Sequence, residues 1–331
     1  MGRFLFLLVG LFAFSACHLV RWEEKSVSDG EVKVARYDRL QYEAVTLNSV
    51  TALQKMSLEF PQATKLLIED VLELGTVGEP AIINRLCAYY ADTTLLRLMD
   101  DVQEEFHDLS DIEQGLTDGF RRLRKSVPDL VVPRVYAQVS ALNQSVVVTD
   151  SLLGISLDKY MGADYPLYPK YYYPNQYRSM ERRRIVPDCF LFFLMGRYPF
   201  GWHPGHRTLL DQLMYRGKIF WVVSRLVDGM SEEDLLGYTP EEKAWCKENG
   251  RRLWEEMKGN GYLYSTDPML VRAFTYPASS PQLEGKPVPP MAGTWIGIQL
   301  VKAYLKQHPE TSVEELLGRS DFGDPTLLTP Y

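Results

Sequence analysis

The stretch RTLLDQLMYRGKIF, residues 207–220, decides how the second half of the chain folds. It opens a long helix expected from Thr208 to Asp228, in which Arg216 precedes Gly217 and Lys218 follows it. Working outward, GWHPGH (201–206) reads as a Gly/Pro-rich loop. Before it, VPDCFLFFLMGRY (186–198) is apolar nearly all round, the mark of a helix buried on all sides. After it, Thr239 is placed to cap a further helix, with Pro240 at the first position and Glu242 closing a capping box. That helix is expected to run to about Lys258 and end at Gly259. A short helix near Asp267 to Phe274, a loop through PASSPQLEGKPVPP, a helix from Ala292 to Gln307 and a last turn at Val313 to Leu317 follow.

Upstream the period changes. LVVPRVYAQVS (130–140) and QSVVVTD (144–150) are β-branched and turn-bounded, so they read as strands, with Ala141-Leu142-Asn143 turning between them. SLLGISLDKYMG (151–162) reads as a third strand or as a strand running into a short helix. Residues 163–177 are crowded with Pro and Tyr and cannot propagate a helix, so they read as an ordered loop packed through its rings. The first third is helical by spacing in ATKLLIEDVLEL (63–74) and INRLCAYYADTTLLRLMDDVQEEF (83–106). In SDIEQGLTDGFRRLRK, Ser110 and Glu113 read as a capping box, and Ile112, Leu116, Phe120 and Leu123 form one apolar stripe. The expected fold class is α+β, mostly α-helical with a small central β-sheet. A helical region over 36–128 and an α+β region over 129–320 are expected to form one continuous domain, with a tail at 321–331.

The chain begins with Met1-Gly2-Arg3 and the apolar run FLFLLVGLFAF (4–14), too short to span a bilayer but suited to a signal-peptide core. Ser15-Ala16-Cys17 is similar to a bacterial lipobox. On that reading residues 1–16 are removed, Cys17 carries the lipid, and residues 17–35 form a polar tether. The formal net charge is −7, and removing the leader deletes only Arg3, giving about −8. Such a balance argues against nucleic acid as a partner. Arg178, Arg182, Arg183 and Arg184 cluster, and read either as an anion or partner patch or, more plainly, as a solvated helix surface. Cys87, Cys189 and Cys246 stand in no CxxC motif and read as free thiols.

The segments PDLVVPRVYAQVSALNQSVVVTDSLLGISLDKYMG, YPLYPKYYYPNQYRSMERRRIVPD, TLLDQLMYRGKIFWV, LLGYTPEEKAWCKENGRRLWEEM, YLYSTDPMLVRAF and GTWIGIQLVKAYL occur in an order that resembles the gliding motility lipoprotein family GldB. The resemblance covers about residues 31–318. It implies an envelope lipoprotein, facing the periplasm or the outer surface and tied to a gliding and type IX secretion apparatus where the host has one. It supplies no catalytic residue.

The region after residue 129 also resembles zinc-peptidase domains at a distance, in its order of sheet, apolar helix, loop, TLLD helix and a later glycine-containing helix. In such enzymes the apolar helix carries HExxH and a glutamate on the following helix is the third ligand. Here DCFLFFLMGRY holds neither histidine nor glutamate, and Arg216 stands at the glutamate's position, where its cation would repel zinc. His203 and His206 flank a Pro-Gly pair with no third ligand evident, and no GxSxG elbow exists. The expectation is therefore a zincin-like scaffold with a degenerate metal site, no cofactor, and a non-catalytic protein that works through envelope partners. Asp211, Arg216 and Lys218 are the candidate residues of a vacated cleft. The alternatives are an exported hydrolase built on carboxylates, with Asp158, Asp188 and Asp211 as candidates, and, last, a metallopeptidase.

Overall fold

The computed structural model describes residues 30–201, 207–277, 281–283 and 285–328. The leader, Cys17, His203 and His206 lie outside these residues.

The first third builds α1 (Tyr37–Thr46), α2 (Val50–Glu59), α3 (Pro61–Lys65), α4 (Ile82–Tyr90), α5 (Thr93–Glu105) and α6 (Ser110–Ser126). The single helical run expected over 83–106 is split because Asp92 takes an extended backbone and accepts from the amides of Thr94 and Leu95, starting α5 afresh. A cap of this kind contributes about 1 kcal/mol. In α6 the stripe Ile112, Leu116, Phe120 and Leu123 is buried as its spacing requires. The expected Ser110–Glu113 box is not formed. Asp108 serves the amide and hydroxyl of Ser110, and Glu113 reaches away to the amide of Val34 at 2.9 Å.

That bond explains a second departure. Residues up to 35 read as tether, yet Val32 and Val34 are buried. Strand β1 (Val34–Ala35) pairs in parallel with β2 (Arg134–Gln138). Thr117 accepts the amide of Val32 at 2.8 Å, so two side chains of α6 hold the entering chain against the sheet.

The sheet continues with β3 (Val146–Val148) and β4 (Leu152–Ser156) in the order β1-β2-β4-β3. The turn at 141–143 therefore does not make a hairpin. β4 inserts between β2 and β3, parallel to the first and antiparallel to the second. All five residues of β4 are buried, as expected for a strand covered on both faces. Gly154 pairs with Tyr136, and a side chain on Gly154 would stand 2.5 Å from the Tyr136 ring. The bare backbone gives that ring its place, edge-on to Tyr37 at 5.8 Å.

After the strands, a 3-10 turn at Leu157–Lys159 leads to α7 (Tyr168–Tyr171) and α8 (Pro174–Tyr177). These are single turns with proline in the first positions, where a missing amide costs nothing. The rings pack as expected, Tyr168 lying edge-on to Tyr165 at 5.2 Å and to Tyr172 at 6.0 Å. The second half comprises α9 (Ile185–Arg197), α10 (Leu209–Leu226), α11 (Glu232–Leu235), α12 (Pro240–Gly259), α13 (Pro268–Thr275), a minimal hairpin β5–β6 (Gln282–Leu283, Lys286–Pro287), α14 (Ala292–Gln307) and α15 (Val313–Gly318). The Thr239–Glu242 box forms as the sequence indicates. The α+β class, mostly helical with a small sheet, holds. One hydrophobic core runs from Val32 to Leu328, so part of the expected tail also packs, Phe322 meeting Tyr304 edge-on at 5.1 Å.

Candidate functional site

α10 passes through the middle of the second half and crosses α14 at glycine against glycine. A side chain on Gly297 would lie 1.9 Å from the carbonyl oxygen of Leu213, and one on Gly217 would lie 2.3 Å from the carbonyl carbon of Gly297. The bare backbones let the two helices touch. Around this contact the three candidate residues turn to different tasks. Asp211 closes a capping box with Thr208, accepting its amide at 2.9 Å and its hydroxyl at 2.7 Å. Arg216 donates from Nε to Thr294 Oγ1 at 3.1 Å and lies 5.7 Å from the ring centroids of Phe220 and Tyr276. Burial pulls its guanidinium below the usual arginine range.

Two residues on, Lys218 points elsewhere. Its ammonium donates to the carbonyls of Leu317 at 2.7 Å and Arg319 at 2.5 Å, closing the C-terminal end of α15. Carbonyls at a helix C-terminus favour a cation, while burial pushes Lys218 down to about 8. Asp211, Arg216 and Lys218 thus make hydrogen bonds to different groups, Thr208, Thr294 and the end of α15.

The other carboxylates are equally occupied. Asp158 is fully buried and accepts from the amides of Ser140 at 2.9 Å and Leu142 at 2.6 Å, and from the Ser140 hydroxyl. It pins a turn in which Ala141 and Leu142 both take positive φ, 51° and 67°. Burial raises its carboxyl above the usual range, against the pull of those donors. Beside it, burial lowers Lys159 to about 8. Lys159 donates to Tyr172 Oη at 2.6 Å and to the Leu142 carbonyl at 3.2 Å. Asp188 follows Pro187 but caps nothing. It accepts from Arg184 at 2.8 Å and from the Tyr160 hydroxyl at 3.1 Å, and burial raises its carboxyl as well. Asp158, Asp188 and Asp211 thus have no partner in common. Among the described residues, no group of three or more His, Cys, Asp and Glu side chains is placed to hold a metal ion. Cys87, Cys189 and Cys246 are free.

A model of the gliding motility protein GldB family matches residues 21–324. The chain belongs to the GldB family. No curated protein and no solved structure matches it.

In this GldB-family chain the arginine cluster is a seam between elements instead of a solvated face. Arg178 grips both oxygens of Glu242 at 3.0 and 2.7 Å, joining α8 to α12. Arg182 grips both oxygens of Asp111 on α6, at 2.9 and 2.6 Å. Arg184 is buried and ties α9 to α11 through the carbonyls of Asp234 and Leu235. Only Arg183 stays largely exposed, beside Glu181. The run of arginines is visible in the sequence, but their acidic partners lie 64 and 71 residues away, so the pairing is not.

Asp234, on α11, gives this seam a pH signature. Burial alone would raise its carboxyl, but Lys243 at 2.6 Å and the Ser231 hydroxyl and amide outweigh burial and hold it at about 2. A carboxyl depressed from 3.8 contributes stability that is full above the unfolded value and is lost as pH falls through about 2. The contribution is about 2 kcal/mol at most. In urea titrations, the stability gap between the wild type and Asp234→Asn should be present at pH 5 and shrink steadily toward pH 2.5. A gap independent of pH contradicts the assignment.

Proposed function

We propose that this chain is a non-catalytic, lipid-anchored protein of the cell envelope that acts through protein partners of a gliding or type IX secretion-related apparatus. Family membership over residues 21–324 is the observation that carries the reading. The lipobox at Ser15-Ala16-Cys17 gives it a mechanism of attachment. Each buried methylene of an acyl chain contributes about 0.8 kcal/mol, and two or more chains hold a protein at a bilayer stably. Among the described residues no helix is long and apolar enough to cross a membrane. The scaffold, on this reading, is zincin-like with its metal site gone. On it, Arg216 would stand where such enzymes carry a ligand; the side chain is engaged by Thr294 and two rings. The three aspartates nominated for hydrolysis have separate partners.

The Cys17→Ala variant tests the anchor. In cell fractionation it is expected to leave the membrane pellet, and labelled fatty acid is expected on the wild type and absent from the variant. Retention of the variant in the pellet together with an unlabelled wild type overturns the lipoprotein reading. Stoichiometric zinc on the purified full-length protein, lost when His203 and His206 are replaced, overturns the non-catalytic one.

A further inference from the structure

The arginines of the seam each have a carboxylate beside them, whereas Arg216 has none. Its Nε–H donates to Thr294 Oγ1, and its guanidinium lies against the rings of Phe220 and Tyr276. The charges that act on it are those of the Tyr215 and Tyr276 hydroxyls, with no carboxylate contributing. Asp211, earlier on α10, is taken up by Thr208. Among the described residues the terminal nitrogens of Arg216 donate to nothing. Unlike the Nε–H groups of Arg178 and Arg184, they are not sealed off, because the side chain is only part-buried and these atoms keep accessible surface. Withdrawing a cation from water without a counter-charge is unfavourable, and ring faces offset only a part of that.

A second cation shares one of these rings. Tyr276 follows α13 directly, its amide still bonded to the Arg272 carbonyl at 3.1 Å. The Arg272 guanidinium lies 5.1 Å from the Tyr276 centroid, and the Arg216 guanidinium 5.7 Å. Arg272 is exposed and makes no ion pair among the described residues. Asp267, earlier on the same helix, is occupied in capping it at the Met269 amide. Tyr276 is 47% exposed and Met269, three residues before Arg272, is 72% exposed. Two unpaired guanidiniums therefore stand beside an open apolar surface.

We propose that Arg216, Tyr276 and Arg272 form a docking site for a carboxylate borne by a partner polypeptide. The two terminal nitrogens of Arg216 form the planar fork that grips a carboxylate through parallel bonds. Arg272 adds positive potential within a Debye length of about 8–10 Å. Met269 and the Tyr276 ring take the apolar body that carries the acid. The proposal rests on the reading above only in taking the ligand to be a protein, and it names the chemistry that such a partner presents.

Isothermal titration of the full-length protein in detergent tests it, at constant ionic strength. The probes are N-acetylphenylalanine, its neutral amide and inorganic phosphate. Saturable one-to-one binding of the acid is expected, with a dissociation constant of about 1 mM or below. The amide should not bind measurably, and phosphate should bind more weakly than the acid. Arg216→Met keeps the apolar stem and should weaken binding of the acid about tenfold or more. Its urea midpoint without ligand should equal or exceed that of the wild type, since an unpaired charge has been removed. Arg272→Gln, on an exposed side chain, should weaken binding severalfold and carries the test if the first variant does not fold. No saturable binding of the acid, equal binding of its amide, tighter binding of phosphate, or binding unchanged in both variants overturns the proposal. None of these outcomes depends on the fractionation of Cys17→Ala, so the site and the anchor fail separately.

Discussion

Gly297→Ala is expected to lower the stability of the protein by about 3 kcal/mol or more, enough to leave a large unfolded fraction. The added methyl would lie 1.9 Å from the Leu213 carbonyl oxygen and 2.7 Å from its carbonyl carbon. Both are backbone atoms of α10, so no rotamer change relieves the clash, and the helices themselves must part. Ile296 and Ile298, flanking the glycine and fully buried, would be disturbed with them. Alanine's better helix propensity returns only about 1 kcal/mol. Gly217→Ala, 2.3 Å from the Gly297 carbonyl carbon, should behave alike. Gly259→Ala at the end of α12, where nothing lies within 4 Å of the new methyl, is the contrast and should be neutral or slightly stabilising. Urea midpoints of the three variants check the claim. A Gly297→Ala protein as stable as the wild type would mean that the helices do not meet backbone to backbone.

Asp158→Ala should cost about 3–5 kcal/mol. The carboxylate, itself wholly buried, takes the amides of Ser140 and Leu142 and the Ser140 hydroxyl. Removing it orphans those donors. It also leaves Ala141 and Leu142 in a left-handed conformation that each adopts only under constraint. Burying the charge is itself unfavourable, so the effect comes from the partners left behind and not from a strong net attraction. Asp158→Asn keeps one acceptor and should fall between the wild type and alanine. The loss should also release Lys159 and Tyr172, both held on the Leu142 carbonyl, so Tyr172 fluorescence or exchange at the 140–142 amides should change before global unfolding. Equal stability of the three proteins would show that the turn holds without its clamp.

Local signals carried much of the fold. α14 was readable from Ala292 to Gln307 because its apolar positions and ends are written in adjacent residues. The Thr239–Pro240–Glu242 start of α12 was readable for the same reason. What escaped were features completed by residues distant in the chain. β1 is two residues long and becomes a strand only because β2, a hundred residues later, lies beside it. Glu113 has the spacing of a capping box, but the amide of Val34 takes its carboxylate. Gly217 drew notice for the cations around it, while its physical reason, the approach of Gly297, is invisible without α14. The candidate site suffered most. Spacing on one helix placed Arg216 and Lys218 together, but positions two apart lie on nearly opposite sides of a helix, and Thr294 and the end of α15 decide what each touches.

The way the chain enters the body has a mechanical consequence. A pull on residue 30 does not tug at a frayed end. It strains first the amides of Val32 and Val34 against Thr117 and Glu113, and then the parallel ladder of β1 with β2. Tension is thereby passed into α6 and the middle of the sheet together, and several bonds must break in concert before the body begins to unravel from that side.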